Sequence, residues 1–389
     1  MSELIVRIAA RGDGVTASGR HVAFGVPGDT LADDGVLTAG PRHQLPPCRH
    51  FPECGGCQLQ HVDDAAYRDY LGARVLGALA QHGVETDIRD PHLSPPRSRR
   101  RATLRAMRVG QGAILGFNQA QSNRIVDMHE CHVLRPELFA LVAPLRALLG
   151  RLVAPKRVIE LHMTLADQGV DLLLKGLSAD TLDAKLDLID FAQAQGLARL
   201  SLDGGLGPET AWEPEPATIT LARVPVRLPP GAFLQATADG EAALVGAVGE
   251  AVAGAGAIAD LFAGLGTFAL AVRAGYAAEA ARDVAAALRQ ASPLTKVEHR
   301  DLYRRPLDPE ELANFDAVIL DPPRSGAEEQ VRALAASRVA RIAYVSCNPA
   351  TFARDSALLV GGGYTLEWAR PVGQFRWSTH IELAACFSR

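Results

Sequence analysis

Ala257-Ile-Ala-Asp-Leu-Phe-Ala-Gly-Leu-Gly-Thr-Phe-Ala269 decides how the rest of the chain is read. A short apolar run ends in Asp260, glycines follow at 264 and 266, and helix-forming residues come next. That order predicts strand, tight turn and helix, and the glycines let backbone approach a ligand because they lack Cβ and tolerate positive φ. A lone G-x-G does not separate a cofactor turn from an ordinary one, so its neighbours must decide.

Two later stretches do so. Phe315-Asp-Ala-Val-Ile-Leu-Asp-Pro-Pro-Arg-Ser-Gly326 is an apolar strand whose exit carries an acid, two prolines, an arginine and a glycine, residues unsuited to continuing a central strand. Arg341-Ile-Ala-Tyr-Val-Ser-Cys-Asn-Pro-Ala-Thr351 is another, with Cys347 at its end rather than inside the apolar run. Polar groups are thus delivered to the C-terminal edge of a sheet, where open α/β folds bind ligands.

Together with Thr379-His-Ile-Glu near the end of the chain, these stretches resemble the ordered motifs of S-adenosylmethionine-dependent RNA uracil-5-methyltransferases. The resemblance implies an α/β, Rossmann-like methyltransferase domain over 226–389. Ahead of it are expected an α+β middle domain, with the metal site, over 46–225 and a short N-terminal β region over 1–45 that resembles a reduced RNA-binding TRAM domain.

The chain has 389 residues, 48% apolar and 22% charged, with a net charge of −4. This is the composition of an ordinary globular protein, and the acidic balance argues against a nonspecific coat on nucleic acid. The longest apolar runs are strand-length or broken by polar residues, and Met1-Ser-Glu-Leu shows no basic n-region before an apolar stretch, so a cytoplasmic protein without membrane association is expected, and a monomer. Six arginines between Arg97 and Arg108 are either a solvated strand face or a phosphate-contacting surface.

Residues 4–10, 21–26 and 30–38 alternate as short antiparallel strands. Cys48, Cys54 and Cys57 then form a C-x5-C-x2-C array on a Gly-Gly turn, and Cys131 lies far downstream. Four thiolates suit tetrahedral zinc, but three clustered cysteines with a remote fourth fit a [4Fe-4S] cluster better than the paired C-x2-C of a zinc ribbon. The resemblance points the same way, because members acting on ribosomal RNA carry this pattern. A radical S-adenosylmethionine enzyme usually needs C-x3-C-x2-C instead.

Residues 62–83 and 181–195 have helical periodicity, and strands are expected at 102–109, 113–117, 158–164, 170–175 and 198–203. Phe233 and Gln235 match the aromatic and amide of the family's Phe-x-Gln-x-Asn element, with Thr237 in place of the asparagine. They are expected near the extruded base and the cofactor. A second strand should end in an acid for the ribose hydroxyls, and Glu279 is chosen, with Asp283 close behind in an alanine-rich stretch too short for a comfortable strand. Asp301 would face the adenine, and Asp321 lies at the cofactor and uracil edge. Phe262 and Thr267 would flank the nucleoside by resemblance.

C5 of uracil is a poor nucleophile, and a thiolate added at C6 makes it enolate-like, replacing one difficult step by two easier ones. Cys347 is the candidate nucleophile and Glu382 the candidate base for the C5 proton. The expected activity is methylation of 23S ribosomal RNA at uracil C5. The alternatives are a tRNA-directed enzyme or a noncatalytic RNA-binding protein of the same fold.

Overall fold

A computed structural model describes residues 2–389. Its contacts separate two units that interleave along the sequence: the segments up to Pro47, Gln58–Ser94 and Asp239–Arg389 in one, Cys48–Cys57 and Pro95–Ala238 in the other. These boundaries differ from the expected breaks after residues 45 and 225. Residues 226–238 join the second unit because Thr237 bridges to Arg99 and the Arg100 Nε donates to the Gln235 carbonyl at 3.1 Å. Residues 58–94 join the first because their helix supplies part of its core.

The first unit is built on a mixed sheet in the order Lys296–His299, Tyr276–Glu279, Ile258–Leu261, Ala317–Leu320, Arg341–Ser346, Glu382–Ser388, Thr365–Gly373, Asp87–Ile88. The first five strands are parallel, and Glu382–Ser388 runs antiparallel between its two neighbours. Ile258–Leu261 and Ala317–Leu320 are buried at every position, as expected of parallel strands covered on both faces. Strand order reverses between these two, which opens a crevice beyond their C-terminal ends. Tyr276–Glu279 is a true strand despite its alanines, since pairing on both sides overrides its weak propensity.

At the far edge Asp87–Ile88 pairs in parallel with Trp368 and Ala369, and Thr86 Oγ1 donates to the Leu366 carbonyl 280 positions away. Helix Asp64–Ala80 starts at Asp63, whose side chain accepts the Ala66 amide, the usual N-cap arrangement. Its buried face of Tyr67, Tyr70, Leu71, Val75 and Leu79 shares one apolar cluster with Phe352 and Leu359 of helix Pro349–Gly361. Ahead of it, short antiparallel strands at Glu3–Ile8, Gly14–Thr16, His21–Val22, Thr30–Leu31 and Leu37–Thr38 form a small sheet. Buried Asp29 ties it together, accepting from the amides of Val26 and Gly40 at 2.8 and 2.7 Å and lying 2.8 Å from His43 Nδ1.

In the second unit a sheet runs Glu209–Trp212, Arg199–Asp203, Gly169–Lys175, Val158–Ala166, Arg101–Val109, Gly112–Gly116. Helices Val142–Leu152 and Leu182–Ala194 pack on it through Leu145, Leu149, Leu188 and Ala192. Fully buried Arg199 pairs with Asp171 through two hydrogen bonds of 2.9 and 2.7 Å. The arginine run is neither a uniform solvated face nor a uniform phosphate surface. Arg100 is buried, Arg101 lies 4.3 Å over the Phe233 ring, and Arg105 pairs with Glu160 at 2.9 Å. Arg99 donates its Nε to the Arg101 carbonyl at 3.0 Å and lies 5.6 Å over the Phe117 ring.

Candidate active site and cysteine cluster

Asp260, in the middle of a wholly buried strand, caps the following helix: its Oδ2 accepts the Ala269 amide at 2.8 Å. Its Oδ1 is buried with no hydrogen-bond partner among the described residues. Burial first, then the charges of Asp321 and Glu279, push its pKa well above the carboxylate range. Asp321, the residue after Leu320, is pushed up to about 7 by burial. Three acids therefore converge on the crevice, a setting that favours a ligand carrying positive charge.

The glycine turn is shaped for a close approach. Gly264 has φ +55°, and a Cβ there would meet nothing within 4 Å, so the space beside it is open. Its amide donates to Glu279 Oε2 at 2.9 Å, and Glu279 Oε1 accepts the Ala281 amide at 2.7 Å. Gly266, at φ +89°, is required for another reason, since a Cβ would come within 2.3 Å of Leu288 Cδ1. Phe262 holds φ +63°, uncommon for a bulky residue, and its ring lies 5.6 Å from that of Tyr303.

Thr267 opens the helix Thr267–Val272. Asp301 follows the third strand, but its Oδ1 serves its own turn, accepting the Tyr303 amide at 3.0 Å. Asp283, the other ribose candidate, lies in the first turn of helix Arg282–Ala291. Gln235 and the exposed Phe233 belong to the second unit.

Cys347 sits half-buried at the exit of Arg341–Ser346. Burial pushes its thiol up to about 11, the charges of Glu382 and Asp321 push the same way, and the Arg324 guanidinium pulls it down. Arg324 is fixed at both ends. Its carbonyl accepts from Asn348 Nδ2 at 2.9 Å and Thr351 Oγ1 at 3.2 Å, and its Nη2 lies 3.0 Å from His380 Nδ1. Glu382 is buried at the first position of the terminal strand.

The anchoring of this loop escaped sequence reasoning. Buried Asp355 accepts from the Ala327 amide at 2.8 Å and the Tyr344 hydroxyl at 2.6 Å. Gly326 has φ +78°, and a Cβ there would come within 2.6 Å of Asp355 Oδ2. The only signal was a single acid, Asp355, in the helix Pro349–Gly361.

Cys48, Cys54, Cys57 and Cys131 all lie in the second unit, and all are free. Burial raises the thiols of Cys48, Cys54 and Cys131, Cys54 to about 11, and the Cys131 charge acts on both Cys48 and Cys54. Burial lowers Arg99 and the charges of Cys57, Cys131 and Cys54 raise it, while its Nε donates to the Arg101 carbonyl at 3.0 Å. Among the described residues, however, no group of three or more His, Cys, Asp or Glu side chains is arranged to hold a metal ion. Nor is any helix among them long and apolar enough to cross a membrane.

An open α/β sheet with a glycine turn, acids and a cysteine at its carboxyl edge defines a nucleotide-cofactor enzyme of the Rossmann-like class. Residues 281–389 match the family model described as tRNA (Uracil-5-)-methyltransferase. An uncharacterized RNA methyltransferase of Zymomonas mobilis is 49% identical over 99% of both chains. The 23S rRNA (uracil(1939)-C(5))-methyltransferase RlmD of Halomonas elongata is 33% identical, over 89% of this chain and 77% of that protein. In fold, the chain is similar to the Pyrococcus abyssi tRNA (uracil-54, C5)-methyltransferase solved with S-adenosyl-L-homocysteine, with a TM-score of 0.76 at 22% identity over 100% and 99% of the two chains. The chain belongs to the RNA uracil-5-methyltransferase family and is an S-adenosylmethionine-dependent RNA methyltransferase.

Proposed function

We propose that the protein methylates uracil C5 in 23S ribosomal RNA, with Cys347 as nucleophile and Glu382 as base. The observation that carries this reading is that Glu382 and Arg324 both act on the Cys347 thiol, the carboxylate raising its pKa and the guanidinium lowering it. S-adenosylmethionine, when bound, supplies the methyl group as an electrophile. The acidic crevice fits it: Asp321 and Glu279 offset its positive charge, Glu279 takes the ribose, and Phe262, Thr267 and Asp301 complete its surroundings. The orphaned Asp260 oxygen supports that assignment.

Cys347 adds as thiolate to C6, which gives C5 the electron density it lacks. Arg324 offsets the charge that develops. Once C5 carries the methyl, Glu382 takes the C5 proton and the C5–C6 double bond re-forms as the sulfur leaves C6.

The four cysteines are proposed as ligands of a [4Fe-4S] cluster. Their thiol chemistry, mutual charge and the nearby Arg99 support a four-thiolate group with a countercharge, and its role would be structural. The small N-terminal sheet is read as a reduced TRAM-like region, and the protein as a cytoplasmic monomer. Ribosomal RNA is preferred over tRNA because the relative acting on 23S rRNA is similar across 89% of this chain, whereas the likeness to the tRNA enzyme speaks for fold alone.

Transfer of labelled methyl to unmodified 23S rRNA and to tRNA, with wild type and Cys347→Ala, tests the proposal. Label in 23S rRNA that vanishes in the variant is expected. Label confined to tRNA would overturn the substrate, and activity surviving in the variant would overturn the covalent mechanism.

A further inference from the structure

A cavity of ≈ 610 Å³ lies within the first unit, bounded by strand Glu3–Ile8, helix Asp64–Ala80 and the stretch Asn348-Pro-Ala350 that directly follows Cys347. Nothing in the methyl-transfer chemistry uses it. Its walls divide into an apolar floor, including Val6, Ile8 and Tyr70, and a basic side of Arg7, Arg42 and Arg74.

Arg42 is paired with Asp69 at this wall. Arg7 and Arg74 enter no ion pair among the described residues, and the Arg74 Nε is buried without a hydrogen-bond partner. Helix Pro349–Gly361 also begins at this cavity, so its positive end faces the same space. In a chain of net charge −4, Arg7 and Arg74, neither in an ion pair with a carboxylate among the described residues and Arg74 acting on the neighbouring Tyr70 hydroxyl, make this wall complementary to an anionic ligand. The volume exceeds what a phosphate alone needs and lies in the range of sites for small organic ligands. Val6, 48% exposed, offers apolar surface for a base or ribose.

We propose that this cavity seats a nucleotide flanking the reacting uracil, with its phosphodiester against Arg7 and Arg74. The proposal rests on the RNA methyltransferase reading and adds a second point of grip on the strand, one residue along the protein chain from the nucleophile.

Binding of a labelled single-stranded RNA containing the target uridine, measured by fluorescence anisotropy across a salt series, tests it on the full chain. For wild type against the Arg7→Gln/Arg74→Gln double variant, the expected result is roughly tenfold weaker binding and a log K against log salt slope shallower by about 1.4, two single-strand phosphate contacts. S-adenosylhomocysteine affinity should not change, which also establishes that the variant is folded. Arg74→Lys should keep most of the slope. Should the double variant not fold, exposed Arg7→Gln alone should flatten the slope by about 0.7. Unchanged RNA affinity and slope in a folded variant would overturn the proposal, as would stabilisation of wild type by a free mononucleotide with no effect of the variants on RNA. Wild type that binds RNA with the arginine-dependent slope but transfers no methyl to uracil would sink the catalytic reading and leave this one standing.

Discussion

Arg324 Nη2 lies 3.0 Å from His380 Nδ1, so the loop after Ala317–Leu320 and the segment before the terminal strand meet at the groups that act on Cys347. An arginine nitrogen can only donate, so the ring nitrogen facing it is the acceptor in this contact. Among the described residues no carboxylate forms an ion pair with Arg324, and its charge acts on the thiol.

Opposite substitutions around that thiol should move it in opposite directions. Burial and then Glu382 hold Cys347 up at about 11, while Arg324 pulls it down. The thiolate is the reactive form, so the alkylation rate of Cys347 by iodoacetamide should climb about tenfold per pH unit through the alkaline range until it levels near that value. Arg324→Gln should shift this limb to higher pH and slow alkylation at a fixed pH. Glu382→Gln should shift it lower and speed it. Peptide mass spectrometry after timed quenching reads both.

Glu382→Gln should also separate the two halves of the reaction. Without a base for the C5 proton, turnover should fall by about 10²–10⁴-fold, and a protein–RNA adduct stable to denaturing electrophoresis should accumulate. Cys347→Ala should give no adduct.

Much of this site was legible because its residues stand at strand exits, where a change from apolar run to acid, proline or cysteine is visible in one dimension. Glu279 was harder, since Tyr276–Glu279 becomes a strand only through pairing on both sides. Helix Val142–Leu152 was missed: Pro144 in its first turn reads as a breaker, although proline is tolerated where amides lack intrahelical partners. Strand Glu209–Trp212 is mostly exposed and carries no alternation. Arg99 and Arg100 read as surface charge because the groups that receive them, distant cysteines and the Gln235 carbonyl, come together only in the fold.

Asp355→Ala should destabilise the first unit by roughly 2–5 kcal/mol, because the Ala327 amide and the Tyr344 hydroxyl would be left as buried donors. Activity should fall further than stability accounts for, since the loop carrying Asp321 and Arg324 loses its anchor. Asp355→Asn, which keeps an acceptor, should cost less. Thermal unfolding and methyl transfer below the transition separate the two effects.

Protein purified without oxygen should contain iron and acid-labile sulfide in equal amounts, and Cys54→Ser should lose both. One equivalent of zinc without sulfide would replace the cluster by a tetrahedral ion.

The pairing of Thr86 with Leu366 sets a schedule for the newborn chain. At roughly 5–20 residues per second, ribosomes need about 15–60 s to add the intervening 280 positions. Through that interval the apolar stripe of helix Asp64–Ala80 has neither the helix Pro349–Gly361 nor the late strands to cover it. The segment is therefore a natural client for chaperones during synthesis, and the sheet closes only as the last strands leave the ribosome.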